Sequence, residues 1–391
     1  MIDTTKKEHK NIDKKSLIFS VNRDERRSIK NTLRDLKLAI DSAQSVNYPN
    51  RVNLLDIYND LLTTDPQIVH SINQRKKRIK GLQWSVISSS NQKEDKKTTE
   101  LLKGEWFKKF LDFTLDTFFF GNTLLELTSK EGKVDCLLIP RENVIPEFTQ
   151  IKISPQSNTG DIDYSSNTYK NNLININNNN NPRDLGELLN VSKFGLFKSE
   201  MLLNWSQYVE IFAQPLRVAT TDTEDVEELE QIMTYLKELG RSGYMVKDSQ
   251  TQLEFVSSNS QGGSSALYTD FAKYIDEQIS KMILGGTMIT DSGSSRSQAD
   301  VHERASYLYT KADISFVVDI INNKLFDVLR YLGFNIPKTS VYQVQEPEII
   351  TNTEKLDVDR FLLENFEITD LSYFEKRYGV SLKLKEKVNA I

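Results

Sequence analysis

An α+β fold is what this 391-residue sequence predicts, on three observations. Long stretches repeat apolar residues at helical spacing, and shorter stretches alternate as half-buried strands do. Glycine and proline punctuate the joints between them. The longest pattern runs from Gly263 to Gly333 and reads helix, glycine-rich loop, helix. Its first helix, 266–284, puts Leu267, Phe271, Tyr274, Ile275, Ile279, Met282 and Ile283 on one face. The loop carries Gly285, Gly286, Thr287, Met288, Ile289, Thr290, Asp291, Ser292 and Gly293, with Arg296 as its one basic residue. After Gln298 the apolar spacing resumes through Val301, Ile320 and Leu329. That second helix is roughly thirty residues, or about 45 Å at the usual rise. Such a length suits a spoke in an assembly better than a small globular domain.

Taken from the N-terminus, residues 1–22 are lysine-rich without periodicity and read as a mobile tail. A charged helix over 23–45 carries a narrow stripe of Leu33, Leu36, Leu38, Ala39 and Ile40. A helix over 54–62 follows. Asp65-Pro66 then starts another, a capping residue before a first-turn proline. That helix passes Ile68, Val69, Ile72 and Ile79 and carries Arg75, Lys76, Lys77, Arg78 and Lys80. The basic run reads as a solvated face rather than a phosphate contact. Gly81 ends the helix, and 82–87 alternates as a strand.

A dense aromatic helix is expected over 99–118, then a strand over 123–127 that turns at Gly132 into 134–139. Residues 149–190 are poor in core residues and are expected to form short strands joined by exposed, mobile loops, with the asparagine run at 177–181 read as a solvated low-complexity loop. Order returns in a helix carrying Phe197, Met201, Leu202, Trp205, Tyr208, Val209, Ile211 and Phe212. An acidic helix over 223–239 follows, with Thr223 or Asp222 as its cap. Its acids include Glu224, Asp225, Glu227, Glu228 and Glu230, which suit the positive end of a helix dipole. Residues 241–248 and 253–256 read as a small hairpin holding Tyr244, Val246, Lys247, Leu253 and Phe255. A strand over 341–344 and helices over 354–378 close the chain.

Composition narrows the function. With 50 basic and 55 acidic residues the net charge is −5, whereas a DNA-wrapping protein is strongly basic. Cys136 is the single cysteine, so there is no intrachain disulfide and no cysteine zinc site; it reads as a small buried residue of a strand. No apolar run approaches the ~20 residues of a membrane span. The apolar triplet at 17–19 is too short for a signal sequence, so a reducing aqueous compartment is expected. His9, His70 and His302 lie far apart, and no nucleophile elbow surrounds a serine. The 285–293 glycines lack the lysine-Ser/Thr ending of a P-loop and follow a helix rather than a strand. Neither catalysis, cofactor nor metal is expected.

Four stretches carry a resemblance. The first runs from Leu61 through Asp65, Pro66, Arg75 and Gly81 to Trp84; the second is Phe119-Phe120-Gly121-Asn122 to Glu126. The third runs from Phe197 through Trp205 and Phe212 to Pro215-Leu216-Arg217; the fourth from Gln278 through Gly285, Gly286 and Asp291 to His302. In this order, over about 54–333, they resemble the portal proteins of tailed bacteriophages, most closely the Mu-type portals. The asparagine-rich 149–190 region and the short C-terminal part depart from that pattern.

The resemblance implies a portal-like fold in a dodecameric ring at one capsid vertex of the virion, assembled in the host cytoplasm. Double-stranded DNA passes through the ring without sequence preference, and terminase, head-tail adaptor and major capsid protein are the other partners; no membrane is involved. It implies a wing over 23–222, a first stem helix at 223–240, a clip at 241–262 and a second stem helix at 263–284. A tunnel loop at 285–299, a long helix and wing return at 300–350, and a crown-like helical segment at 351–391 complete it. On this map the acids repel phosphate along the channel, Met288 and Ile289 pack on a neighbour, and the clip edges accept added strands. Two other classes stand beside it: a nucleotide-binding enzyme using 285–296, and a capsid or tail scaffold that never meets DNA.

Overall fold

A computed structural model describes residues 32–157, 160–212, 217–223, 225–238, 244–247, 249, 263–286, 296–345, 352–365 and 374–375. Thr32 opens α1 (Leu33–Ala43) with a reciprocal cap: its hydroxyl accepts from the Asp35 N–H, and the Asp35 carboxylate accepts from the Thr32 N–H. Leu36, Ala39 and Ala43 turn inward, but Leu38 is 58% exposed, so the expected stripe is narrower than its apolar letters. Helix α2 (Val52–Thr64) follows. Asp65 then caps α3 (Pro66–Lys80), accepting from the N–H groups of Gln67 at 2.8 Å and Ile68 at 3.3 Å, with Pro66 in the first turn.

After β1 (Trp84–Ser88) the expected helix over 99–118 is two helices, α4 (Lys96–Leu102) and α5 (Glu105–Phe120). Gly104 divides them with extended backbone, and a Cβ there would sit 2.7 Å from Trp106 Cδ1. Gly121 ends α5 in the left-handed region at φ +82. The hairpin β2 (Asn122–Lys130) and β3 (Lys133–Leu138) turns at Gly132 as expected. Cys136 is buried in β3, and burial pushes its thiol up to about 12.

The 149–190 region holds the short strands expected of it, and Asn179, Asn180 and Asn181 are exposed, but one strand belongs to the core. Short strands β4 (Val144–Ile145), β5 (Gln150–Ile151) and β6 (Ile162–Asp163) form a small antiparallel sheet. Strand β7 (Leu173–Asn177) pairs antiparallel with β2, giving the order β3-β2-β7. Ile174 and Ile176 are buried, while Asn175 and Asn177 accept hydrogen bonds from the Asn122 amide. The asparagines therefore occupy the alternate positions of a core strand, and a composition count conceals that alternation.

Helix α6 (Leu188–Phe212) leads to a strand pairing absent from the sequence reading. Strand β8 (Arg217–Thr220), helix α7 (Val226–Glu238) and strand β9 (Tyr244–Lys247) make a parallel βαβ unit, registered from Arg217 on Tyr244 to Thr220 on Lys247. So β9 pairs backwards with β8, across the helical crossover that parallel strands need. The expected hairpin partner, 253–256 with Leu253 and Phe255, lies outside the described residues. The cap of α7 is Asp225, whose carboxylate accepts from the Glu227 N–H at 3.0 Å; Asp222 instead accepts from the Ser249 N–H beyond β9.

Helix α8 (Gly263–Leu284) matches the expected central helix. Helix α9 (Arg296–Ile320) begins inside the loop expected to reach 299. It passes through a π-helical turn at 321–325 into α10 (Phe326–Tyr331). In that turn Asn322 grips β10 (Ser340–Val344): its carbonyl accepts from the Tyr342 N–H at 2.8 Å, and its amide donates to the Tyr342 carbonyl at 3.3 Å. The other edge of β10 pairs antiparallel with β1. Residues 1–345 form one compact unit and 346–391 a second, in which α11 (Asn352–Asn365) is described.

Two main cores fill the larger unit. One joins α5, β2 and β3 to α9 and α10 around Phe107, Phe110 and Phe326, with Trp84 edge-on to Phe107 at 5.4 Å. The other gathers α1, α2, α3, the start of α6 and the end of α8 around Leu54, Ile68, Leu188, Ile279 and Ile283. Replacing Asn322 by Ala leaves the buried Tyr342 backbone groups unpaired. Asn322→Ala is expected to lower the unfolding free energy by about 1–3 kcal/mol, read by urea denaturation.

Candidate functional site

Helix α3 turns Ile68, Ser71, Ile72, Arg75 and Ile79 inward, at the three- and four-residue steps of one helix face. Arg75 therefore enters the protein with the apolar stripe, not with the basic run it was read in. Its Nε and Nη2 donate to Asp313 of α9 at 2.7 and 2.9 Å, a two-pronged contact. Its Nη1 donates to Glu187, just before α6, at 2.8 and 3.0 Å, and to the carbonyl of Ile283 near the end of α8 at 3.1 Å. The rings of Phe118, Tyr309 and Phe119 lie 5.0, 5.6 and 5.6 Å from the guanidinium carbon. One buried cation thus touches residues of α3, α5, α8 and α9 and the approach to α6.

Burial works against both charges of the Arg75–Glu187 contact. At Arg75 the carboxylates of Asp313 and Glu187 together outweigh it and hold the guanidinium pKa above its ordinary range. At Glu187 burial outweighs Arg75 and lifts the carboxyl above the usual carboxylate range. Asp313 is 2% exposed and is the principal counter-ion. The other basic residues of α3 are also engaged: Lys76 meets Asp116 at 2.5 Å and Lys80 meets Asp112 at 2.8 Å, while Lys77 is exposed. Arg75, Lys76 and Lys80 are thus paired with carboxylates of this chain.

Arg75 lies beside the end of α8, where the glycine-rich segment begins. Gly285 follows α8 with φ +76, and a Cβ there would lie 2.7 Å from two atoms of the Tyr309 ring. Gly286 is buried. Arg296 is the first residue of α9. Residues 287–295, which hold Thr287, Met288, Ile289, Thr290, Asp291, Ser292 and Gly293, lie outside the described residues.

The resemblance implies 223–240 and 263–284 as the two stem helices. Among the described residues α8 packs on α6 and α3, and α7 packs on β9. Lys198 of α6 meets Asp276 of α8 at 2.6 Å, and Trp205 stacks on Tyr268 with centroids 6.4 Å apart. The two contacts run in opposite chain directions, so α6 and α8 form an antiparallel pair. Lys198 also reaches the α3 cap, Asp65, at 3.2 Å. Below this tie Ile275, Ile279 and Ile283 are buried; above it Leu267, Phe271 and Tyr274 are 70%, 44% and 54% exposed. Phe197, Leu202 and Leu203 of α6 are exposed as well. Leu267, Phe271 and Tyr274 thus follow one another at helical spacing as an exposed apolar stripe of α8.

Of the predicted acids, Asp225, Glu227, Glu228 and Glu230 are exposed on or just before α7; Glu224 lies outside the described residues. Tyr244, Val246 and Lys247 lie in β9. Among the described residues no cluster of three or more His, Cys, Asp or Glu could hold a metal. No described helix is long and apolar enough to cross a membrane.

The family profile described as the portal protein of Mu bacteriophage matches residues 55–380. The chain belongs to the Mu portal-protein family. A portal protein of Escherichia phage Mu is 27% identical over 133 residues, which is 33% of this chain and 26% of that protein. The chain thus spans about a quarter of that curated relative's length in the match. A solved chain titled as the neck of an empty GTA particle computed with C6 symmetry shares the fold at 11% identity and a TM-score of 0.51. That likeness covers 88% of this chain and 98% of the other. The portal profile takes in α3, the α6–α8 pair and α9, so the Arg75 cluster lies inside the family's matched region.

The sequence reading missed Asp313, Glu187 and Tyr309. One signal was available for Arg75: it stands three residues after Ile72 and four before Ile79, in register with the stripe. Arg75→Met strands Asp313 as an unpaired buried charge and is expected to cost about 3–5 kcal/mol in urea unfolding. Arg75→Met with Asp313→Leu is expected to recover part of that loss.

Proposed function

We propose that the chain is the repeating subunit of a portal ring, a dodecamer at one capsid vertex through which DNA enters and leaves. Family membership supports the portal role. The observation that carries the ring is the apolar stripe of Leu267, Phe271 and Tyr274, left in water by a single chain. Neighbouring copies would cover it by side-to-side contact, the heterologous arrangement that closes into a ring.

On this reading α6 and α8 are the stem pair, in place of the 223–240 and 263–284 pair expected from sequence. The βαβ unit with 241–262 becomes the clip that meets terminase and, later, the head-tail adaptor. The wing, 32–187 with the return through β10, faces the major capsid protein. Residues 285–295 form the tunnel loop, and α9 stands behind it. The exposed acids of α7 then belong to the clip. There they repel phosphate and hold sliding friction low, whereas lysines would bind DNA through counterion release. The particle operates in the virion after assembly in the host cytoplasm, and the subunit has no catalytic step. The nucleotide-binding alternative is weaker. What leads into Gly285 is the C-terminal end of α8, whose carbonyls disfavour a phosphate.

Mass measurement of purified protein is expected to give particles of about a dozen copies; solitary chains under every assembly condition would count decisively against the ring. Leu267→Asp with Phe271→Asp is expected to abolish those particles while leaving the circular dichroism spectrum of a folded chain. Replacing 287–295 with a shorter linker is expected to preserve rings and stop genome packaging. Normal packaging by that variant would favour the scaffold reading, and nucleotide binding by calorimetry would favour the enzyme.

A further inference from the structure

We infer that Arg75 is a positioning residue that sets the spacing between the end of α8 and the middle of α9, the two helices bounding the glycine-rich segment. The geometry leaves it few alternatives. From α8 it holds a backbone carbonyl, Ile283, which no side-chain rotation can release. From α9 it holds both oxygens of Asp313, and Tyr309 lies against its face one turn earlier. Gly285 presses on the same Tyr309 ring, with no room for a side chain between them. The far side of the cation is closed by Phe118, Phe119 and Glu187. Moving the end of α8 away from the middle of α9 therefore breaks a buried, charge-assisted hydrogen bond, and moving both together drags α3 and α5. The end of α8 and the middle of α9 behave as one piece fixed to the body of the subunit.

Lysine cannot replace this function. Its ammonium is a point charge with three donors and cannot span Asp313, Glu187 and the Ile283 carbonyl in one plane. Arg75→Lys therefore keeps the charge and loses the spacing, which separates positioning from simple neutralisation.

The test is a spin-label distance measurement in the full chain, diluted with unlabelled protein. Lys281→Cys and Leu308→Cys place labels at exposed positions on α8 and α9. The native Cys136 is 1% exposed and stays unlabelled. A control pair, Lys108→Cys and Lys130→Cys, reports on α5 and β2. The expected result is one narrow α8–α9 distance in the parent and a broadened or shifted one in Arg75→Lys, with the control distance unchanged. An unchanged α8–α9 distance overturns the inference, and so does equal broadening of the control pair, which would make Arg75 a general stability residue. If Arg75→Lys does not fold, Asp313→Asn is read the same way. The importance of this spacing for DNA passage rests on the proposed portal role, but the measurement lies within one chain. Solitary chains with an Arg75-dependent distance would remove the ring and keep the inference; rings with an Arg75-independent distance would do the reverse.

Discussion

A guanidinium taken out of water must find its hydrogen bonds inside the protein, and this requirement at Arg75 ties the larger unit together. Its partners come from positions 118, 119, 187, 283, 309 and 313, so segments distant in sequence must arrive at one point. Desolvating such a cation is costly, and only near-complete pairing offsets the cost. Arginine suits the place because its flat faces stack on Phe118 and Tyr309 while its edge forms the fork with Asp313.

The Lys198 tie works in the same way at lower cost. It joins α6, α8 and the cap of α3, and it lies where burial along α8 gives way to exposure. Below it the helix pair belongs to the core. Above it the pair is held chiefly by its own contacts, such as Trp205 on Tyr268, and keeps apolar side chains outward. The same two helices therefore serve stability at one end and recognition at the other.

Local signals in the sequence were legible because they depend on neighbouring residues. Asp65 with Pro66, the left-handed Gly121 and Gly132, and the long helical periods all lie where the pattern puts them. Non-local partners were not. Nothing near Asp313 marks it as the mate of Arg75, 238 residues earlier. The four-residue β8 offers too little alternation to announce a parallel partner in β9. Ile174 and Ile176 were hidden by asparagines that fill the other face of the same strand. Of the candidate site, the central helix pattern was legible and its packing on α6 and α3 was not, since spacing within a helix fixes its apolar face and leaves open which element covers it.

The antiparallel pair of β1 and β10 has a consequence for biosynthesis. Trp84 waits for Val344, so a growing polypeptide on the ribosome carries β1 without its mate until the whole stretch between the two strands has been made. Pairing over so long a separation is also slow to nucleate. Products that stop short of β10 would leave Trp84 and Val86 without the partners Val344 and Tyr342.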